Sequence, residues 1–215
     1  MSGGRRLPEP PLLVITDRTM TERPLADVVE AAFKGGCRWL MLREKDLDAT
    51  AREALAAEIM AVAKPYGAQV IINRDYVASA DGIHLPQGCS VSEARRLVGP
   101  GGLIGVSAHS LNEARSAAEA GVDYVTLSPI FLTASKPGYG PTLGLDGLRQ
   151  IADSIPTPII ALAGVDADNA AACLKAGAAG VAVMGGVMAA ADPEAATAAL
   201  IDRIKRVQTS RQPSG

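Results

Sequence analysis

Short apolar runs recur along the chain, separated by stretches whose apolar positions fall at helical spacing. Eight runs read as strands, at residues 12–16, 38–43, 68–72, 82–85, 103–106, 123–127, 158–162 and 180–184. Most are continuously apolar rather than alternating, the pattern of parallel strands covered on both faces. Residues 26–34, 49–63, 111–120, 168–176 and 193–207 read as helices between them. Gly121 and Gly177 each follow a helix and lead into a strand, where glycine favours a helix stop. The third and fourth strands are separated by too few residues for a full crossover helix, so a single helical turn or 3₁₀ element is expected over 74–81. The alternation predicts an α/β protein, a single (β/α)₈ TIM barrel over 1–215, with its core at about 9–207 and loose polar termini.

Composition narrows this picture. A chain of 215 residues suits one small barrel. With 48% hydrophobic but only 3% aromatic residues, the core must be built from Ala, Val, Ile and Leu. A net charge of −2 with no basic run argues against nucleic acid as a partner. No apolar stretch approaches the roughly 20 residues of a membrane span, and the opening MSGGRRLPEPP is not of signal-peptide type. Cys37, Cys89 and Cys173 are widely spaced and fit neither a zinc pattern nor a disulfide framework, so a reducing cytoplasm is expected.

The polar residues of interest lie just past the strands, where a barrel of this kind builds its active site. Arg43 and Lys45 flank Glu44 beyond the second strand. One residue apart on an extended segment, they point the same way and can share a phosphate; the competing reading is a surface ion-pair cluster with Glu44 and Asp46. Asn73 ends the third strand and serves either a ligand or a turn. His84 ends the fourth strand and is structural by default, whereas His109, past the fifth, is open. After the sixth strand a long Pro- and Gly-rich loop carries Thr133, Ser135 and Lys136, a set suited to a phosphate or pyrophosphate. Gly164, Gly185 and Gly186 follow the last two strands, the usual phosphate corner of these barrels, although tight turns alone would also use glycine.

The segments LVITDR (13–18), LREKD (42–46), IIN (71–73), DGIHL (81–85), GVSAHSLNEA (105–114), DYVTLSPIFLTASKPG (123–138), LAGV (162–165) and AGAAGVAVM (176–184) together resemble the thiamine phosphate synthase and TenI superfamily. They occur in the family's order and cover nearly the whole chain. The resemblance implies either a synthase, which joins a pyrimidine diphosphate to a thiazole phosphate and releases pyrophosphate, or a TenI-like thiazole tautomerase. A barrel that binds a phosphorylated ligand without catalysis is the third reading. Arg43, Lys45, Asn73, Ser107 and Lys136 match the family's diphosphate contacts. Thr133 and Ser135 match hydroxyls between the two substrates, and Gly164, Gly185 and Gly186 fall in the thiazole-phosphate corner. Arg43, Ser107 and Lys136 are thereby the expected catalytic groups, with His84, His109 and Gln87 as further candidates.

The resemblance also implies Mg²⁺, yet its two usual Asp ligands are replaced. Arg74 stands at one position, with Asp75 displaced by one, and Cys89 stands at the other. Weak magnesium binding is expected, with Asp75 the remaining candidate ligand. Met41 replaces the Gln that usually lies beside the pyrimidine. Pro129 stands where the tautomerase has its catalytic His, so Ser128-Pro129-Ile130-Phe131 reads nearer to the synthases. Ser135-Lys136-Pro137-Gly138 and Leu85-Pro86 lean toward TenI. Small phosphorylated heterocycles are the expected partners, and a homodimer is left open.

Overall fold

The computed structural model describes residues 6–133 and 141–211. Eight strands, β1 (Leu12–Ile15), β2 (Trp39–Leu42), β3 (Gln69–Asn73), β4 (Gly82–Leu85), β5 (Leu103–Ala108), β6 (Tyr124–Leu127), β7 (Ile159–Ala161) and β8 (Gly180–Val183), pair in sequence order. Each is parallel to its neighbours, and β8 closes on β1. The expected (β/α)₈ barrel is therefore present. Observed strand ends differ from the expected ones by a residue or two, the normal uncertainty of a boundary.

The helices are α1 (Leu25–Lys34), α2 (Ala49–Ala63), α3 (Val91–Val98), α4 (Leu111–Glu119), α5 (Gly144–Ala152), α6 (Ala170–Lys175), α7 (Gly185–Met188) and α8 (Pro193–Arg211). Side-chain oxygens of Asp48, Ser90 and Ser110 cap α2, α3 and α4 by accepting the amides of Ala51, Glu93 and Glu113. At α4 Glu113 also reaches back past the cap and accepts the His109 amide at 2.6 Å, which fixes the chain where it leaves β5.

One expectation fails here. Residues 74–81 form turns without a helical or 3₁₀ element. The carboxylate of Asp81 accepts the Val70 amide at 2.8 Å, while the Asp81 amide donates to the Val70 carbonyl at 2.9 Å. That reciprocal link returns the chain to β3 before a helix can start.

The core has two compartments, as strand alternation requires. Leu12, Val14, Leu40, Leu42, Ile72, Ile83, Val125 and Val181 face the helices. Leu13, Ile15, Trp39, Met41, Ile71, Leu103, Tyr124, Ile160 and Ala182 fill the barrel interior. There the indole of Trp39 meets Tyr124 edge to face, with centroids 4.8 Å apart and planes at 78°. Tyr124 lies opposite Gly105 in the β5–β6 register. A methyl group on Gly105 would overlap the Tyr124 ring, so the missing side chain on β5 makes the room that the large one on β6 occupies.

Replacing Gly105 with alanine should therefore destabilise the fold by roughly 1–3 kcal/mol, the scale of overpacking a core. Urea unfolding of the two proteins measures this. Equal midpoints would show that the interior can yield to the extra methyl group.

Candidate functional site

The C-terminal ends of the strands open on one mouth, and the exits of β1 and β2 are locked together there. Glu44 is buried at 3% exposure. Its Oε1 accepts the Thr16 hydroxyl at 2.6 Å, and its Oε2 accepts the Arg18 amide at 3.1 Å. The Thr16 hydroxyl oxygen in turn accepts the Arg43 amide at 3.0 Å. Arg18 also pairs with the exposed Asp46. A buried carboxylate is costly unless it is hydrogen-bonded, and here that requirement ties the two loops to each other. Glu44 is thus an enclosed group rather than a surface one, although the Arg18 guanidinium, with Nε 3.9 Å from Glu44 Oε2, links it to Asp46. Thr16 and Glu44 are the positioning residues that the sequence reading missed. Their signal was a Thr and a Glu placed where two neighbouring strands end.

Arg43 emerges half-buried from this lock. Its Nη1 is 3.9 Å from an Asp17 carboxylate oxygen and 3.9 Å from Met184 Sδ. Neither is a close bidentate pairing, so the guanidinium fork can still take an anion. Lys45 falls in the next turn, exposed, and does not line the cavity beside Arg43. The chain turns after Glu44, so Lys45 stands on a turn rather than on the extended segment expected.

Arg43 lines a cavity of about 550 Å³ together with Ser128, Thr133, Gly164, Gly185 and Gly186. Ile15, Met20, Leu162, Val165 and Met184 form its apolar wall. The lining comes from the ends of β1, β2, β6, β7 and β8, and the volume suits a small ligand. Sequence reading missed Ser128, although it lies directly past β6. Ala163 and Gly164 adopt left-handed backbone angles, φ +76° and +66°. This lets the chain after β6 lie against the end of β7, where Ile130 and Phe131 donate amides to Leu162 and Ala163 at 3.0 and 3.1 Å. A side chain on Gly164 would strike the Leu132 carbonyl at 2.5 Å, so glycine is required there by contact as well as by angle.

The other arc of the mouth carries Asn73 and Ser107. Asn73 is half-buried, its Nδ2 3.5 Å from the His84 carbonyl and 3.9 Å from Met41 Sδ. Ser107 lies within β5 rather than past it. Its hydroxyl is 2.9 Å from Nε2 of His84, whose Nδ1 is 2.9 Å from the Tyr124 hydroxyl. Burial pushes the His84 imidazole down to about 3 from its usual 6.5, so the ring is neutral. His109 bridges strand ends by placing Nδ1 2.8 Å from the Ser128 carbonyl. Gln87 sits exposed in the turn after β4. Ser135 and Lys136 lie outside the described residues.

The groups offered to a metal do not suit magnesium, a hard cation that requires oxygen ligands. Arg74 is a cation, in left-handed conformation at φ +75°, and Cys89 is a thiol on an exposed turn. Asp75 is ion-paired with Arg52. Among the described residues no group of three or more His, Cys, Asp or Glu could hold a metal ion.

A closed parallel barrel with a half-buried cation and glycine turns around one mouth cavity defines the class, that of (β/α)₈ barrels with a ligand-sized cavity at the strand ends. The particular family follows from comparison with known proteins. The family model described as thiamine monophosphate synthase, TMP-TENI, matches residues 12–187, and the chain belongs to that family. It is 42% identical over 195 residues to a thiamine-phosphate synthase of Roseiflexus castenholzii, covering 88% of this chain and 86% of that one. It is also 42% identical over 193 residues to the thiamine-phosphate synthase of a Roseiflexus species, covering 87% and 82%. The structure of a thiamine phosphate pyrophosphorylase from Pyrococcus furiosus superposes with a TM-score of 0.81 at 31% identity, covering 91% of this chain and 96% of that one. Among the described residues no helix is long and apolar enough to cross a membrane.

The chain has only two histidines, which makes His84 legible in solution. Because its folded pKa lies below the unfolded value, the unfolded chain takes up the proton first. Stability from this source is fully present above about pH 6.5 and is lost as pH falls toward about 3, with a slope of up to about 1.4 kcal/mol per pH unit. Urea unfolding between pH 7 and 5, above the main carboxylate range, should show the slope, and His84→Gln should flatten it. An unchanged slope in the variant would refute the assignment.

Proposed function

We propose that this chain makes thiamine phosphate by joining hydroxymethylpyrimidine diphosphate to a thiazole phosphate, with release of pyrophosphate, as a transferase. The observation that carries the reading is the mouth cavity, where Arg43, two hydroxyls and the glycine turns share one space with an apolar wall. Such a space suits ligands that combine an anionic end with a flat ring. The relatives named as thiamine-phosphate synthases support it.

In this reading the bond between the pyrimidine methylene carbon and the diphosphate oxygen breaks first, and its electron pair leaves with the diphosphate. The ring stabilises the resulting cation, which the thiazole nitrogen then attacks. Arg43 and Lys136 disperse the charge of the departing diphosphate, an electrostatic role that grows in the transition state. Lys45, Asn73 and Ser107 complete the diphosphate contacts, and Thr133 and Ser135 lie between the two substrates. Gly164, Gly185 and Gly186 hold the thiazole phosphate, because the first amides of a helix such as α7 have no acceptor within it. The buried Glu44 keeps Arg43 in place and does not itself touch substrate.

Purified protein given both substrates should form thiamine phosphate, detected by chromatography. Arg43→Ala and Lys136→Ala should each lower the rate roughly 10²–10³-fold, the scale of losing one transition-state donor. Thiamine phosphate formed at equal rates by wild type and Arg43→Ala would refute the role of the cavity.

Magnesium gives a separate prediction. Wild type should bind it weakly, whereas Arg74→Asp combined with Cys89→Asp should tighten binding, measured by calorimetry. Asp is also better tolerated than most residues in the left-handed conformation that Arg74 holds. Saturation of wild type at low magnesium would show that other oxygens complete a site.

A further inference from the structure

One group of side chains inside the barrel is not used by the reading above except at its outer end. Tyr124, His84, Thr126 and Ser107 form a hydrogen-bonded chain that runs from the apolar interior to the mouth. Tyr124 and Thr126 are fully buried and His84 is 2% exposed, whereas Ser107 is partly open. Nδ1 of His84 is 2.9 Å from the Tyr124 hydroxyl, and Nε2 is 2.9 Å from the Ser107 hydroxyl and 3.3 Å from that of Thr126. The register places Tyr124 opposite Gly105, and the gap left by that glycine lets the phenol pass β5 to reach β4.

A neutral imidazole carries one N–H and one acceptor nitrogen, so two arrangements are available. If Nδ1 carried the hydrogen, it would donate to the Tyr124 oxygen. The buried phenol hydrogen would then have no acceptor among the described residues, since His84 Nδ1 is the only hydrogen-bond partner of that hydroxyl. An unmade hydrogen bond from a buried donor is costly. If instead Tyr124 donates to Nδ1, the shorter contact, 2.9 Å, is kept as a hydrogen bond, and the hydrogen left without an acceptor among the described residues is that of Thr126, whose contact with Nε2 is the longer one at 3.3 Å. Nε2–H then donates to Ser107, with the Thr126 oxygen as a longer second acceptor. Ser107 accepts from His84 and cannot turn its own hydrogen inward, so that hydrogen is directed to whatever occupies the mouth.

We propose that Tyr124 and His84 are positioning residues that hold the Nε2–H tautomer and thereby make Ser107 a hydrogen-bond donor to an anionic oxygen of the substrate. The ligand part of this rests on the diphosphate reading above, while the tautomer does not. Ser107 touches the ligand, and the other two act through it. A hydroxyl free to rotate would offer its lone pairs to a diphosphate as readily as its hydrogen. The buried relay removes that choice before the ligand arrives, an example of preorganisation. Neutral over the working pH range, the ring neither gives nor takes a proton in the process.

The test uses the whole protein labelled with ¹⁵N-histidine, inorganic pyrophosphate as the probe, and magnesium in the buffer. With two histidines, His109→Gln assigns the signals. Wild-type His84 should show the Nε2–H tautomer between pH 6 and 8. Tyr124→Phe keeps the ring and deletes only the hydroxyl; it should admit the Nδ1–H tautomer and weaken pyrophosphate binding about tenfold, the worth of one hydrogen bond to a charged group. In a Ser107→Ala background, Tyr124→Phe should cost no further affinity. An Nδ1–H tautomer in wild type overturns the proposal, and that reading requires no variant to fold. Additive losses for the two substitutions overturn it too, because Tyr124 would then be structural only. Absence of pyrophosphate binding by wild type overturns the donor role. A protein that binds pyrophosphate with the expected coupling, yet forms no thiamine phosphate, upholds the relay and counts against the synthase reading alone.

Discussion

Closure of the parallel sheet is the constraint on which everything else depends. A closed barrel leaves no strand edge, so every strand finds partners on both sides. Because all eight strands run the same way, all of their C-terminal ends reach one rim. The interior must then be solid. Large residues such as Trp39 and Tyr124 can be placed only where a neighbour is small, as Gly105 is. Toward the mouth the filling changes from aliphatic side chains to Thr126, His84 and Ser107, and the barrel passes from core to site without a separate domain.

A second constraint acts on the loops. The Glu44 carboxyl group is enclosed, and it is tolerable only while Thr16 and Arg18 donate to it. Those donors belong to the exit of β1, so the exit of β2, with Arg43, has one position relative to its neighbour. The cavity inherits its cation from this lock. Removing the carboxylate would release both loops, an effect on ligand binding from a residue that need not meet the ligand.

Among the described residues two non-glycine residues are held at positive φ, Arg74 and Ala163, and both lie at the mouth, where β3 and β7 end. Such angles cost roughly 1–2 kcal/mol per residue and persist when surrounding contacts demand them. At Ala163 the demand is visible in the amides of Ile130 and Phe131, which bind the carbonyls of Leu162 and Ala163. At Arg74 the backbone amide donates to the His84 carbonyl at 2.8 Å, which ties the start of the β3–β4 turn to the end of β4. That turn carries Arg74 in a place where the family resemblance leads one to expect an acidic ligand. The chain has kept the family's barrel with a different charge beside its mouth.

How far the sequence reaches is clear from particular residues. Continuous apolar runs such as LLVI and GVAV, short and set between turn signals, read as strands covered on both faces, and helical spacing between them leaves the barrel as the economical closed solution. The rim position of Arg43, Asn73 and the glycine turns follows from counting residues past each run. Backbone periodicity determined these features, and it is local. What the sequence could not show depends on neighbours distant in the chain. Lys45 is exposed because a turn intervenes, and no helix forms over 74–81 because Asp81 binds Val70. Glu44 is buried because Thr16 and Arg18 come from another strand end. His84 reads alone as a packed residue; only the barrel brings Tyr124 to one side of its ring and Ser107 to the other. Side-chain hydrogen bonds between elements 20 to 40 residues apart have no periodic trace, so tertiary structure alone decided them.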